Sequence, residues 1–352
     1  MELSVIQTGL LGTLILLVLA LPLTVHKVEE NLEIFLFLCG AFAVTVTHTW
    51  SWELVKTALE DPIKITLAVL VAGFLFKQFH RALQKGTQKM VSGIGLRTSM
   101  ALIVLILGLT SSLITAIIAA LILAELVVLL PLNRKGRVQL VVYSCFAIGM
   151  GAVLTSVGEP LGTIVLSKLK GAPHFADFWF LLEHLGWYVL AGNMVMAALA
   201  SRIRPEANAS SQSAQIQSVP SDHSIKNIFI RAVKVYLFVM ALVLLGDGLK
   251  PLAMQTIAHL SADALYFINT LSAILDNATL AAIEITPDIS IRNLMFLLIS
   301  LIISGGILIP GNIPNIICAS KLKITSKEWA KTAVPLGVIL MAGYFAVLCM
   351  VL

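Results

Sequence analysis

Charged side chains are scarce in this sequence. Asp, Glu, Lys and Arg make up 12% of the 352 residues, whereas a soluble domain carries about 25%. The mean hydropathy is +0.95, and the apolar residues form long continuous runs such as 10–21. So few charges cannot cover the surface of a soluble globule. The composition therefore excludes an ordinary soluble domain and predicts a protein embedded in a lipid bilayer.

The apolar runs also lack the alternation of apolar and polar residues that transmembrane β-strands show. The predicted fold class is therefore an all-α polytopic membrane protein. The predicted membrane crossings are 4–25, 34–49, 62–80, 138–170, 178–200, 227–249, 291–323 and 334–352. Segment 81–97 is basic and is predicted to form a separate helix on the inner membrane face.

Paired cysteines and enzyme motifs are missing as well. The four cysteines have no close spacing, so we expect them to be reduced residues of the membrane helices. There is no His-Glu-x-x-His motif, no Gly-x-Ser-x-Gly motif and no nucleotide-binding loop. An enzyme and an ATP-driven pump are therefore disfavoured, and no cofactor is expected. The net charge of +5 is attributed to basic loops and does not indicate nucleic-acid binding.

Two apolar stretches are too long for one crossing and have a polar middle. Residues 98–130 would span about 50 Å as one straight helix, against a bilayer core of about 30 Å. Ser112 and Thr115 lie near the centre of this stretch. A re-entrant helical hairpin with its polar tip inside the protein explains both features. Residues 252–287 are predicted to form a second hairpin, with its tip at 275–279.

Two of the predicted crossings, 138–170 and 291–323, contain residues that interrupt a helix. Proline removes a backbone donor and glycine leaves the backbone exposed, so each cluster predicts a helix break at mid-membrane. The interrupting residues are Gly158, Pro160, Gly162, Pro310, Gly311 and Pro314.

The two halves of the chain repeat at an offset of 153 residues. Segment 158–170 aligns with 311–323, and both end in Ser-Lys-Leu-Lys. In each half the break follows a polar-tipped hairpin, which favours an internal duplication. The predicted organisation is N-terminal scaffold helices at 1–97, a first repeat at 98–200, a cytoplasmic linker at 201–226 and a second repeat at 227–352.

Basic residues favour cytoplasmic loops and therefore predict the topology. When loops 81–97, 133–137, 201–226 and 321–331 are placed inside, most Lys and Arg residues lie on the cytoplasmic side. The first hairpin then opens to the cytoplasm and the second to the outside. The repeats are thus predicted to be inverted, as in many secondary transporters, and both termini are predicted to be extracytoplasmic.

Inverted repeats bring broken helices together at the membrane midplane, where half-helix ends and free backbone groups bind ions. Oxygen-bearing side chains concentrate at the predicted tips and breaks, and oxygen ligands suit a hard cation such as Na⁺. The predicted cation- and proton-binding residues are Glu159, Asp276, Asn277, Thr279, Asn312, Asn315, Ser112, Thr115, Thr155, Ser156 and Thr163.

Glu159 has the strongest functional signal, because a carboxylate at mid-bilayer costs about 2.5 kcal/mol or more. Its alternative role is to cap the half-helix that begins at Pro160. Asp276 either binds an ion or caps the helix at 277–285, and the asparagine amides could instead bond loose backbone. If the two carboxylates lie close together, one of them holds either a proton or Na⁺, which favours antiport. Glu125 is expected at the membrane interface.

Three motifs carry a resemblance to a known family. They are Ser-Val-Gly-Glu-Pro-Leu-Gly-Thr at 156–163, Leu-Asp-Asn-Ala-Thr-Leu-Ala-Ala at 275–282 and Ile-Pro-Gly-Asn-Ile-Pro-Asn-Ile at 309–316. Together they resemble a family of predicted prokaryotic cation transporters, domain of unknown function 1646, over nearly the whole chain. A hairpin followed by a broken helix, twice and in inverted orientation, is similar to the ion transporter superfamily. That superfamily includes sodium/proton antiporters, arsenite permeases and sodium-coupled carboxylate transporters.

The resemblance implies a homodimer in the prokaryotic inner membrane, with the hairpin tips and helix breaks forming the transport site. The carboxylate transporters carry Ser-Asn-Thr in both tips, whereas this sequence has Ser-Ser-Leu-Ile-Thr at 111–115 and Asp-Asn-Ala-Thr at 276–279. The expected function is therefore a Na⁺/H⁺ antiporter that works by alternating access. A Na⁺-coupled symporter of a small organic anion and a metalloid permease are the alternatives.

Overall fold

The structure is a computed structural model, and it describes residues 3–204, 225–257, 262–269 and 277–352. All regular structure in these residues is helical, as predicted. The helices before residue 205 are α1 (Val5–Thr24), α2 (His26–Glu30), α3 (Leu32–Thr47), α4 (Trp52–Ile94), α5 (Leu96–Ile114), α6 (Ala116–Leu129), α7 (Arg134–Ala152), α8 (Pro160–Lys168) and α9 (Phe180–Ser201). The later helices are α10 (Ile225–Ile257), α11 (Ala262–Ile268), α12 (Asn277–Glu284), α13 (Ile291–Ser304), α14 (Ile313–Leu322) and α15 (Ser326–Val351). Most of the predicted linker, 205–224, and part of the second predicted tip lie outside the described residues.

Four helices are long and apolar enough to cross a bilayer, namely α1, α5, residues 228–255 of α10, and α15. The helices α3, α6 and α13 are apolar but shorter. Large apolar side chains are exposed on the outer helices, including Leu17 on α1, Phe42 on α3 and Ile339 on α15. Lipid rather than water suits such surfaces. The helices are therefore those of a membrane protein.

The structure corrects one element of the N-terminal region. The sequence predicts a crossing at 62–80 and a separate surface helix at 81–97, whereas α4 is one continuous helix of 43 residues. It ends before Gly95, whose φ of 80° suits glycine. The prediction of two elements is wrong because the change from apolar to basic residues alters the surroundings of a helix without ending it.

The helices α3 and α10 pack closely because small residues lie between them. A Cβ on Gly248 of α10 would lie 2.6 Å from Ala43 Cβ on α3. A Cβ on Gly40 of α3 would lie 2.8 Å from Leu244 Cβ on α10. Small residues let helix backbones approach each other in membranes. The helix α10 also packs on α4. It therefore joins α3 and α4 into one layer.

The helices α5, α6 and α7 meet beyond the end of α7. Thr155 Oγ1 donates to Ser112 O at 2.6 Å, which places the end of α5 beside the segment after α7. The N–H of Ala116 donates to Gly158 O at 3.0 Å, so α6 begins at the same place. Only residues 130–133 separate the end of α6 from the start of α7. The helix α6 therefore returns along α7 in the opposite direction.

Contacts between loops define two ends of the molecule. At the first, the Arg134 guanidinium donates to Leu322 O at 2.9 Å and forms a bidentate pair with Glu328, with N–O distances of 2.7 and 2.6 Å. At the second, His174 Nε2 lies 2.7 Å from Ile289 O. We call these the Arg134 end and the His174 end.

Two interrupted helical segments connect these ends. The first consists of α7 and α8, and it runs from the Arg134 end towards the His174 end, because α7 begins at Arg134. The second consists of α13 and α14, and it runs from Ile291 near the His174 end to Leu322 at the Arg134 end. The two interrupted segments therefore pass through the molecule in opposite directions.

Candidate functional site

The half-helices α8 and α14 begin in the same way. Their N-cap residues are Glu159 and Asn312, with φ and ψ of −157° and 162° in the first and −155° and 147° in the second. Pro160 and Pro314 follow in the first turns, where a missing N–H is tolerated. Neither N-cap side chain forms a hydrogen bond with its own helix. The alternative role of Glu159 as a side-chain cap is therefore not seen, and its Oε1 atom is buried.

Hydroxyl groups hold the first break against the turn between α5 and α6. Thr155 Oγ1, which donates to Ser112 O, accepts a hydrogen bond from Val157 N–H at 3.2 Å. Thr115 joins α5 to α6 with a φ of 73°, and its hydroxyl accepts from Ile118 N–H at 3.3 Å. Positive φ is strained for a β-branched residue, and such strain is concentrated at functional sites. The structure thus brings three predicted residues together here.

Two asparagines line the second break. Asn315 Nδ2 donates to Gly305 O at 2.8 Å and to Leu308 O at 3.0 Å. A Cβ on Gly305 would collide with the Asn277 amide, so Asn277 lies directly against the same turn. Both asparagines are buried, and the Oδ1 atom of each has no hydrogen-bond partner among the described residues. Buried carbonyl oxygens of this kind are suitable ligands for a hard cation.

Gly162 is the counterpart of Asn315 at the repeat offset. A Cβ on Gly162 would lie 2.5 Å from Thr155 O and 3.1 Å from Val153 O. Thr155 is in turn the counterpart of Leu308, whose carbonyl accepts from Asn315. In each half the same helix position therefore faces the carbonyl groups of its own break. In the first half the backbone of α8 itself lies against these carbonyl groups at Gly162. In the second half the side-chain amide of Asn315 lies between α14 and the carbonyl groups.

The second break packs on α7. A Cβ on Gly149 of α7 would lie 3.1 Å from Asn312 Nδ2. A Cβ on Gly306 would lie 2.5 Å from Phe146 Cε1, and Gly306 O accepts from Trp329 Nε1 at 3.2 Å. Asn312 therefore reaches the helix that leads into the first break. Residues of both halves contribute to one central region.

The other predicted residues are placed differently. Thr163 is exposed, and its hydroxyl donates to Ser156 O at 2.8 Å, so these two residues close the loop of the first break onto α8. Asp276 lies outside the described residues, as does the side chain of Thr279. The proximity of Glu159 and Asp276 stays a prediction.

A comparison with protein families identifies the group to which the chain is related. One family model matches residues 8–351, nearly the whole chain, and its description is protein of unknown function (DUF1646). The chain belongs to the DUF1646 family. The family predicted from the three motifs is thereby confirmed. No curated protein matches the chain.

Glu125 of this DUF1646 protein lies in a buried ion pair that the sequence does not predict. Its side chain is only 4% exposed and forms an ion pair with Lys321, and its place at the membrane interface stays a prediction. Lys321 lies on α14 and is 8% exposed. The pair is buried because α14 packs along α6, a contact between the two halves of the chain. The sequence does not indicate this partner, because the two residues lie far apart along the chain.

A second polar cluster of the DUF1646 chain is not among the predicted residues. Asn269 Nδ2 donates to Glu284 Oε2 at 3.1 Å and to Ser300 Oγ at 3.0 Å. Asn269 and Ser300 are fully buried. The cluster joins the end of α11, the end of α12 and the middle of α13. The signal that could have found it is an acidic residue and an amide inside the apolar stretch 252–287.

Proposed function

We propose that this protein is a secondary active transporter that exchanges Na⁺ for H⁺ by alternating access. The observation that carries the proposal is the pair of interrupted helical segments, which run in opposite directions and pack together near their breaks. In secondary transporters, half-helix ends and unwound backbone at such breaks coordinate ions. Oxygen-bearing side chains lie at both breaks, with Glu159 at the first and Asn312 and Asn315 at the second.

The two halves are inverted repeats in this proposal, each with a re-entrant hairpin. The helix α6 ends near the Arg134 end, whereas α12 ends near the His174 end, where Lys168 Nζ donates to Ile285 O at 2.9 Å. The start of α6 lies beside the first break, and Asn277 at the start of α12 lies beside Gly305 of the second. These placements support hairpins α5–α6 and α11–α12 that open at opposite ends. This proposed architecture is the one that the resemblance to the ion transporter superfamily implies.

Competition between Na⁺ and H⁺ for the same oxygens explains the exchange. Glu159 supplies the carboxylate, and the Oδ1 atoms of Asn277 and Asn315 supply neutral oxygens. A carboxylate away from water is stabilised by a bound cation or by protonation, and one ion excludes the other. Asp276 belongs to the same proposed site. When the site opens to one side at a time, each cycle exchanges one ion for the other.

The proposed location is the prokaryotic inner membrane, with the Arg134 end in the cytoplasm and both termini outside. Support comes from the exposed basic residues Lys135, Lys323 and Lys327 near the Arg134 end, because basic loops favour the cytoplasmic side. A homodimer is the oligomeric state that the family resemblance implies, and it is part of the proposal.

The test uses purified protein in liposomes that contain a pH-sensitive dye and carry an imposed pH gradient. NaCl or LiCl should dissipate the gradient with the wild type, and choline chloride should not. Glu159→Gln should slow this response by about tenfold or more, because an amide holds neither the proton nor the charge. Glu183→Gln changes an exposed carboxylate of α9 and is the matched control. A wild-type rate with Glu159→Gln would overturn the proposed site.

One contact favours metalloid permeation as a second function. Cys145 of α7 and Cys318 of α14 are neighbours, and both thiols are buried. Thiol ligands suit soft, thiophilic species such as arsenite. If no cation moves protons but arsenite enters the liposomes, and Cys145→Ser abolishes that entry, permeation replaces antiport. Uptake of labelled dicarboxylates that requires Na⁺ would instead favour the anion symporter.

A further inference from the structure

The polar cluster of the second half has apolar counterparts in the first half. The helices α6 and α12 begin at Ala116 and Asn277, 161 residues apart, and the two half-helix N-caps are 153 residues apart. The offset of 161 residues relates the hairpin arms of the two halves, and the offset of 153 residues relates their interrupted segments. They place Asn269, Ser300 and Glu284 at the positions of Gly108, Ala147 and Leu123, respectively.

The contact between the first two of these positions exists in both halves. A Cβ on Gly108 would lie 3.0 Å from Ala147 Cβ, and Asn269 Nδ2 lies 3.0 Å from Ser300 Oγ. Leu123 is fully buried in the first half. Glycine, alanine and leucine occupy these three positions in the first half, where the buried side-chain amide of Asn193 on α9 packs against Gly108. A carboxylate costs more free energy in an apolar core than an amide does, and Leu123 stands at the position of Glu284 in the first half, so Glu284 points to a role beyond packing.

Two oxygen atoms of the cluster have no hydrogen-bond donor among the described residues. Glu284 Oε1 and Asn269 Oδ1 are buried, and neither has a partner among the residues that the structure describes. The Asn269 side chain points into the cluster, since its Nδ2 bonds both neighbours. Ser300 Oγ donates to Leu297 O at 2.8 Å, so its proton is not available to Glu284. A bound ligand would satisfy these oxygens.

The charge of Glu284 is not balanced by an ion pair within the described part of the chain. Lys168 of α8, which packs on α12, donates to Ile285 O and to a second carbonyl of the same turn. The buried carboxylate on α6, Glu125, is neutralised by Lys321. A buried carboxylate without such a partner is strongly destabilising, unless a cation binds or the group is protonated.

We propose that Glu284, Asn269 and Ser300 form a second binding site, for a small monovalent cation such as Na⁺. All its ligand atoms are oxygens, which suits Na⁺ or Li⁺ and not a transition metal. Ser300 precedes Gly305 by five residues on α13, which is about 7.5 Å along the helix axis. The site thus lies between the second break and the His174 end. Any use of this site in transport rests on the proposed antiport, whereas the binding of a cation to it does not.

The test measures Na⁺ binding to the purified full-length protein through its melting temperature in sodium-free choline buffer. NaCl should raise the melting temperature of the wild type, and further choline chloride should not, because a ligand of the folded state stabilises it. Glu284→Gln should raise the Na⁺ concentration for half-maximal stabilisation by about tenfold or more, since the amide keeps the shape and loses the charge. Glu183→Gln should behave as the wild type.

A triple variant keeps the test decisive if Glu284→Gln does not fold. Asn269→Gly, Ser300→Ala and Glu284→Leu together install the residues that the first half has at these three positions. The triple variant should melt cooperatively and show the same weakened Na⁺ response. The same comparison is made in a Glu159→Gln background, which weakens the proposed transport site. The rise in melting temperature that NaCl still causes there must be lost when Glu284 is also changed. A wild-type Na⁺ response in the folded triple variant, or no response in the wild type, overturns the second site.

The liposome experiment separates this inference from the proposed function. Proton flux driven by Na⁺, without any binding that depends on Glu284, would leave antiport standing and remove the second site. Na⁺ binding that depends on Glu284, in a protein without flux, would leave the site standing and remove antiport.

Discussion

At the residue scale, one side chain satisfies the exposed backbone of the second break. Asn315 donates to two carbonyl groups, those of Gly305 and Leu308, and it is fully buried. Its first-half counterpart, Gly162, has no side chain and lets the backbone approach directly. The amide therefore has a structural function in the second half, in addition to the binding function that we propose. Its nitrogen holds the unwound backbone, and its Oδ1 belongs to the proposed cation site.

We predict that Asn315→Ala lowers the free energy of unfolding by about 1–3 kcal/mol, because two buried carbonyls lose their donor. Asn293→Ala removes an exposed amide of α13 and should have little effect. Thermal unfolding of the purified variants in detergent measures both changes. Equal stability of the two variants would show that the amide does not hold the break.

At the element scale, the two halves interlock through their hairpin arms and half-helices. The half-helix α14 packs along α6, where Lys321 pairs with Glu125 and Cys318 Sγ lies 3.4 Å from Ala120 O. The half-helix α8 packs on α12 through Lys168, which is the repeat counterpart of Lys321. Each half-helix is therefore held by the other half of the chain. Because each half-helix packs on the hairpin arm of the other half, the two breaks lie within one packed region.

We predict that removal of either partner of the α6–α14 ion pair is more harmful than removal of both. Glu125→Gln and Lys321→Met should each cost about 3–5 kcal/mol, because each leaves one buried charge without its partner. The double variant should be more stable than either single variant. Thermal unfolding of all four proteins forms a double-mutant cycle. Additive single losses would argue against a buried, charged pair.

At the scale of the whole molecule, loop contacts sort the chain into two ends. The loops around Arg134 and Glu328 meet at one end, and the loops around His174 and Ile289 meet at the other. The basic-residue pattern predicts that the first pair is cytoplasmic and the second extracytoplasmic. The two loops that meet at each end are thus predicted from the sequence to lie on the same side of the membrane.

We predict the side of each loop from single cysteines in a Cys349→Ser background, in which the other native thiols are buried. Lys170→Cys and Asp288→Cys should react with a membrane-impermeant maleimide added to intact cells. Lys135→Cys and Lys327→Cys should react only after the cells are permeabilised. All four positions are exposed. If all four cysteines showed the opposite accessibility, only the predicted orientation in the membrane would change. If the two cysteines of one pair differed in accessibility, the assignment of their loops to one end would be wrong.

The sequence by itself determined the protein class, the family and the places where helices stop. Scarce charge predicts burial in lipid, and the proline and glycine clusters near Gly158 and Pro310 act on the local backbone, so neighbouring residues suffice to predict their effect. The same reasoning from neighbouring residues was wrong at 62–97. The change from apolar to basic residues predicted a boundary between two helices there, but α4 is continuous across it.

Only the tertiary structure decided which side chains meet. The packing of α14 on α6 pairs Glu125 with Lys321, and the cluster around Asn269 and Glu284 joins three helices. The contact of Asn277 with the turn at Gly305, beside Asn315, likewise becomes apparent only from the packing of α12. Each of these features depends on contacts between helices that are distant along the chain. Composition and spacing carry no information on such contacts, because the packing of helices selects them.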